Sequence, residues 1–111
     1  MILNYEDVSG KPAAVILPSE GNLDNADDFK KELSTLIDKG GKYVLLNFKN
    51  VTYVDSSFLG ALVSCLKYAM AKGTDILLVE LHKDIYDLLH LIRMDKVFKI
   101  YSNYQEAVEN N

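Results

Sequence analysis

Cysteine is almost missing from this chain of 111 residues. The single thiol, Cys65, lies within an apolar stretch. One cysteine can form neither an intramolecular disulfide nor a zinc cluster, and chains with so few cysteines are typical of reducing compartments. We therefore predict a cytoplasmic protein in which Cys65 is a small buried hydrophobe.

The chain also lacks long apolar runs and an excess of basic residues. No run approaches the roughly 20 residues that a membrane-spanning helix needs. Residues 1–6 lack the basic region and apolar core of a secretory signal. Twelve Lys and Arg residues stand against sixteen Asp and Glu residues, for a net charge of -4, and the basic ones are scattered. This composition predicts no membrane anchor and argues against direct binding of nucleic acid.

The usual signatures of catalysis and metal binding are not present either. His82 and His90 are the only histidines, and no third strong ligand accompanies them, so we predict no metal site. The chain lacks the Gly-x-Ser-x-Gly elbow of serine hydrolases and the Gly-x-x-x-x-Gly-Lys loop of nucleotide-binding proteins. We expect no cofactor and no enzymatic activity. A small hydrolase with Ser57 as nucleophile is the weaker alternative.

Short apolar segments alternate along the chain with segments of helical periodicity. Residues 2–8 and 13–17 predict two strands of an antiparallel hairpin, and later strands are predicted at 43–48 and 75–81, with a short last strand or an extended connection at 97–101. Helices are predicted before each of these later strands and at the end, the first of them capped by Asp24 or Asn25. The order predicts one α/β domain over residues 1–111. Its mixed, mostly parallel sheet has four to five strands, an N-terminal antiparallel hairpin and about four flanking helices.

The stretch from residue 42 to 72 links the most apolar strand to a helix through three polar residues, Asp55, Ser56 and Ser57. Either Asp55 or Ser56 is expected to cap the helix. Loops at the carboxyl ends of parallel strands usually form the sites of such sheets. We therefore expect this turn to lie beside the loop of residues 19–24, which follows another strand.

Helical periodicity assigns faces to the segment that follows. The predicted core face comprises Leu59, Leu62, Val63, Leu66 and Met70. The opposite, exposed face comprises Ser57, Gly60, Ser64, Lys67 and Ala71. Between them lies a shoulder of Phe58, Ala61, Cys65 and Tyr68, which either a neighbouring helix covers or a partner contacts.

Residues 47–60 read NFKNVTYVDSSFLG. This segment resembles the signature of bacterial anti-sigma factor antagonists, members of the STAS domain family, in which Asp-Ser-[Ser/Ala]-Gly-Leu-Gly opens a helix after a hydrophobic strand. The resemblance extends over essentially the whole chain. It implies a protein that binds an anti-sigma factor, which is also a serine kinase, and thereby frees a sigma factor.

The resemblance implies that Ser57 is the residue phosphorylated by that kinase, that phosphorylation breaks the complex, and that a phosphatase restores it. Asp55 would act beside the phosphorylated hydroxyl, whereas Ser56 is expected to be structural, either buried or capping. The alternative within the family is a STAS module that scaffolds another complex, such as a stress-signalling assembly or a lipid-transport component, without phosphorylation.

Two positions depart from the family pattern. Phe58 stands where the family usually has glycine, so its ring either alters the fit of the kinase or fills an apolar gap. The family also has an acidic residue in the loop before the first helix. In this chain Asp24 matches it by motif, within Gly21-Asn22-Leu23-Asp24, and Asn22 matches it by spacing from Phe29. Both are candidates.

Overall fold

The computed structural model describes residues 1–111 and contains seven strands, four α-helices and one 3-10 turn. In chain order the elements are β1 (Leu3–Val8), β2 (Lys11–Ile16), β3 (Glu20–Gly21), α1 (Leu23–Asp38), β4 (Tyr43–Asn47), β5 (Tyr53–Val54), α2 (Ser56–Ala71), β6 (Asp75–Val79), α3 (Lys83–Leu91), the 3-10 turn (Met94–Lys96), β7 (Lys99–Tyr101) and α4 (Tyr104–Glu109). None of these helices combines the length and apolar character required to cross a bilayer.

The main sheet has five strands in the order β1-β2-β4-β6-β7. Strands β1 and β2 are antiparallel, and every other neighbouring pair is parallel. The predicted mixed sheet and its N-terminal hairpin are therefore confirmed. The hairpin turn consists of Ser9 and Gly10, both with positive φ, as a two-residue type I′ turn requires. The predicted second strand, residues 13–17, begins too late, because Lys11 and Pro12 already belong to β2, where Pro12 lies opposite Asp7.

Helices α1, α2 and α3 cover one face of the sheet, where a core of 24 buried residues forms. The largest buried side chains in this core are Phe29, Phe48 and Phe58. The other face carries a smaller cluster around Leu45, Leu77 and Ala107, which α4 covers. Alternate residues of the strands point to opposite faces, so β4 and β6 contribute to both clusters and read as continuous apolar runs.

The buried face of α2 differs from the predicted one. Its buried residues include Phe58, Ala61 and Cys65, three members of the predicted shoulder. Met70, by contrast, is 66% exposed, and Leu59 is only half-buried. The reason is that α1 packs directly against α2 on the shoulder side, where the Cys65 thiol lies 3.7 Å from the Lys30 carbonyl oxygen. A neighbouring helix therefore covers most of the shoulder.

Two hydrogen-bonded pairs of polar side chains lie at the rim of the smaller cluster, and one of them joins the sheet to α4. The Tyr104 hydroxyl donates to the Glu6 carboxylate at 2.9 Å, and the buried Asn47 donates to Glu80 at 2.8 Å. Burial raises the pKa of Tyr104 to about 12, and the neighbouring Glu6 carboxylate contributes to the increase. The neutral phenol is thus the form that the folded state favours.

The raised pKa of Tyr104 predicts that the protein loses stability at alkaline pH and that part of this loss depends on Tyr104. The folded pKa lies above the reference value of 10.0, so the contribution of neutral Tyr104 is complete below pH 10 and is lost as the pH rises through about 12. Denaturant unfolding from pH 9 to 12 measures it. We expect the unfolding free energy of Tyr104→Phe to fall less steeply with pH than that of the wild type, and equal slopes would contradict the prediction.

Candidate functional site

A small second sheet brings two loops together at the carboxyl edge of the main sheet. Strands β3 and β5 pair in parallel, with Glu20 opposite Tyr53 and Gly21 opposite Val54. We call the place where the loop of residues 19–24 meets residues 52–57 the serine junction. Two further backbone hydrogen bonds hold it together, from Thr52 N–H to the Ser19 carbonyl at 2.8 Å and from Asp55 N–H to the Gly21 carbonyl at 2.9 Å. The expected proximity of the two loops is confirmed, although these two-residue strands were not predicted.

The Asp55 carboxylate connects the starts of two helices. Its Oδ1 accepts a hydrogen bond from Phe58 N–H at 3.0 Å and thereby caps α2. Its Oδ2 accepts one from Leu23 N–H, also at 3.0 Å, and Leu23 is the first residue of α1. The first N–H groups of a helix have no intrahelical acceptor, and a carboxylate is stabilised there by the helix dipole. One side chain therefore fixes α1 and α2 relative to each other, and Asp55 is confirmed as the cap.

The cap of α1 is Asn22, one of the two candidates for the acidic family position. Its side chain accepts from Asp24 N–H at 3.0 Å, while its own N–H donates to the Asn25 side chain at 2.9 Å. The prediction of Asp24 or Asn25 as cap was therefore wrong, because the asparagine pair forms a reciprocal capping box that starts earlier. Asp24 is exposed in the first turn of α1.

Phe58 does not stand on the surface beside the serines. It is fully buried, and its ring stacks on Phe29 with 4.2 Å between centroids and 27° between planes. Its other neighbour is Gly21, where an added Cβ would lie 2.6 Å from the ring. Of the two roles considered for Phe58, filling an apolar gap is the one that agrees with the structure, and a direct contact with a partner is excluded by this burial.

The two serines at the start of α2 differ in accessibility. Ser56 is exposed and Ser57 is half-buried, so the expectation that Ser56 is buried or capping was wrong. The physical reason is that Asp55 already caps the helix and leaves Ser56 free at its first position. Exposed apolar side chains lie on both loops of the junction, Leu23 at 71% and Tyr53 at 53% exposure.

The two histidines have separate polar partners away from this junction. His82 Nε2 lies 2.6 Å from the Lys49 carbonyl oxygen, and His90 Nδ1 lies 2.7 Å from an Asp95 carboxylate oxygen. The hydrogen bond from His90 lowers the pKa of Asp95 below its usual range, against a smaller opposing effect of burial. Each ring is therefore explained by a local contact within the fold.

The fold and this junction define an α/β domain whose loops meet at the start of a serine-bearing helix. The sequence profile of the STAS domain matches residues 5–107, and the chain belongs to the STAS domain family. A Thermotoga maritima protein proposed to be an anti-sigma factor antagonist is 32% identical over 97 residues, which are 86% of each chain.

Solved structures agree with this assignment. The crystal structure of a proposed anti-sigma factor antagonist from Thermotoga maritima has a TM-score of 0.82 and 29% identity, over 97% of this chain and 92% of that one. The Bacillus cell fate determinant SpoIIAA in its phosphorylated form has the same fold, with a TM-score of 0.68 and 18% identity over 97% of both chains.

The contact between Gly21 and Phe58 predicts that a glycine-to-alanine substitution changes stability in opposite directions at two positions, residues 21 and 60. We expect Gly21→Ala to lower the unfolding free energy by about 1–3 kcal/mol, because the ring of Phe58 must shift against Phe29. Gly60→Ala is the matched control. Nothing lies within 4 Å of its Cβ position, and removing a glycine from a helix interior stabilises by about 0.5–1 kcal/mol.

A double-mutant cycle measured by chemical denaturation isolates the contact. In the Phe58→Ala background, the cost of Gly21→Ala should largely disappear, because the added methyl group no longer meets a ring. Equal costs in both backgrounds would show that backbone strain at Gly21, and not the ring, causes the loss.

Proposed function

We propose that this protein antagonises an anti-sigma factor by binding it through the surface around the start of α2. The relatives proposed as anti-sigma factor antagonists support this function. The observation that carries it is the junction itself, where the exposed Ser56 and half-buried Ser57 lie next to exposed Leu23 and Tyr53. Tyrosine is among the residues that most often anchor protein interfaces, and a serine beside it can control docking.

Phosphorylation at this surface is the proposed switch. A phosphoserine adds roughly -1.5 to -2 charges at neutral pH. The helix start tolerates that charge because N–H groups and the helix dipole favour anions there. A partner surface complementary to Leu23 and Tyr53 would lose affinity on meeting the same charge. The modified protein would thus remain folded and be released.

The identity of the phosphorylated residue is part of the proposal. The family resemblance assigns Ser57, but a kinase has to reach the hydroxyl group, and Ser56 is the more exposed of the two. We therefore propose that the kinase acts within the Ser56-Ser57 pair, with accessibility favouring Ser56. Asp55 acts as a positioning residue whose oxygens already accept two backbone hydrogen bonds, while Asn22 and Asp24 lie in the adjoining loop.

We expect the anti-sigma factor kinase of the source organism to phosphorylate the wild-type protein with ATP, and the site to be lost in one serine variant only. Mass spectrometry of the wild type, Ser56→Ala and Ser57→Ala measures this. Loss of the phosphate in Ser56→Ala alone supports accessibility as the deciding factor, and loss in Ser57→Ala alone supports the family assignment. Modification outside the pair, or none, would overturn the switch.

The same proteins test the coupling to binding. At the modified position, substitution by Asp should weaken binding to the kinase at least about tenfold in calorimetry, because unfavourable charge placement in an interface costs several kcal/mol. Substitution by Ala should leave the affinity within about twofold. If neither substitution changes the affinity for the kinase, the result would instead indicate a scaffold module that phosphorylation does not control.

A further inference from the structure

Five of the six glycines have a reason within the fold, and Gly60 is the exception. Gly21 leaves room for the ring of Phe58. Four others have positive φ, which other residues rarely adopt: Gly10, Gly40, Gly41 and Gly73. Gly60 has neither a positive φ nor a close neighbour, since nothing lies within 4 Å of the position that its Cβ would take. The fold therefore gives no reason for a glycine at residue 60.

Glycine at residue 60 also lowers the stability of α2. The residue is exposed and lies in the second turn of the helix. Inside a helix, glycine is less favourable than alanine because it loses more backbone freedom on folding. No contact within the protein offsets this cost. An exposed glycine of this kind is expected where another molecule has to come close to the backbone.

A side chain at residue 60 would extend towards the two serines. Ser56 and Ser57 precede Gly60 by four and three residues, the spacing of neighbours on a helix surface. Helical side chains lean towards the N-terminus of the helix, so a side chain at residue 60 would cover the turn before its own. That turn bears the exposed Ser56 and the half-buried Ser57. Glycine at residue 60 therefore keeps this turn open.

The same spacing places Gly60 within the area that a kinase has to cover. Four residues of a helix rise about 6 Å, which is the separation of Ser56 and Gly60 along the axis of α2. A specific protein interface covers about 800 Å² on each partner and is much wider than this separation. A kinase whose active site reaches either serine hydroxyl therefore also lies over residue 60.

We propose that Gly60 determines how closely the anti-sigma factor kinase docks, because its missing side chain lets the kinase close against the bare backbone of α2 beside Ser56 and Ser57. The inference rests on the proposed function and extends that surface from the serine junction to the next turn of α2. A larger residue at this position would hold the kinase away from both hydroxyl groups. Affinity and phosphorylation would therefore fall together while the protein stays folded.

The test measures binding, phosphorylation and stability on the full chain with the anti-sigma factor kinase of the source organism. We expect Gly60→Leu to weaken binding at least tenfold in calorimetry and to slow phosphorylation by ATP at least tenfold. Gly60→Ala should lie between Gly60→Leu and the wild type. Both variants should unfold at a higher denaturant concentration than the wild type, because leucine and alanine are better helix formers than glycine. Weaker binding by a more stable protein separates docking from folding.

Ala71→Leu is the matched control on the same helix. Ala71 is exposed at the last position of α2, about 16 Å along the helix axis from residue 60. The substitution adds the same side chain far from the serines. It should change the affinity and the phosphorylation rate less than twofold.

A variant at the serine junction distinguishes failure of this inference from failure of the proposed function. If Tyr53→Ala weakens binding at least tenfold and Gly60→Leu leaves it unchanged, the proposed function stands and the contact at Gly60 is overturned. If the wild-type protein does not bind the kinase, both are overturned. A lower stability of Gly60→Ala would also overturn the inference, because it would reveal a role for this glycine inside the fold.

Discussion

The Asp55 carboxylate is the interaction on which the arrangement of the serine junction depends. Its two oxygens accept from Leu23 N–H and Phe58 N–H, each at 3.0 Å, and these residues lie in the first turns of α1 and α2. Both helices present the positive ends of their dipoles to the same anion, so the attraction adds from two sides. The exposed Leu23 and Ser56 therefore have a defined relative position on the surface.

Packing beneath the carboxylate constrains the same junction. Phe58 fills the space between Phe29 and Gly21, and the close approach of its ring leaves no room for a side chain at residue 21. A phenylalanine at the third position of α2 thus requires a glycine at residue 21, in the strand β3 that precedes α1. The departure from the family pattern at residue 58 is accommodated inside the core, where the Phe58 side chain is fully buried.

Sequence patterns predicted the main sheet because its strands are clear apolar runs. For α2 they were right at Leu62 and Leu66, which are buried, and wrong at Met70, which is exposed. Apolar residues flank the predicted core face of α2 on the shoulder side, so periodicity could not determine which side α1 covers. Strands β3 and β5 have two residues each, too few for any alternation to be visible. The α1 cap was missed because Asn22, Asp24 and Asn25 are all competent caps, and only the fold decides among them.

Exposure also could not be derived from the pattern of residues 55–57. Asp55 and Ser56 were equally suitable caps by residue type, and the capping hydrogen bond determined which of them stays free. The pairing of Asp55 with α1 was likewise invisible in the sequence, since 32 positions separate it from Leu23. A local capping hydrogen bond and a contact between distant residues thus together determine what the junction exposes.

The most direct test of the central claim is amide hydrogen exchange, measured by NMR, in the wild type and in Asp55→Ala. Hydrogen bonds to charged groups contribute about 1.5–3 kcal/mol, so the Leu23 and Phe58 amides should both exchange about tenfold or more faster in the variant. The Leu46 amide in the buried strand β4 reports global unfolding, and the loss of protection at Leu23 and Phe58 should exceed the loss at Leu46. Retained protection at Leu23, with loss at Phe58 alone, would contradict the claim that one carboxylate fixes both helices.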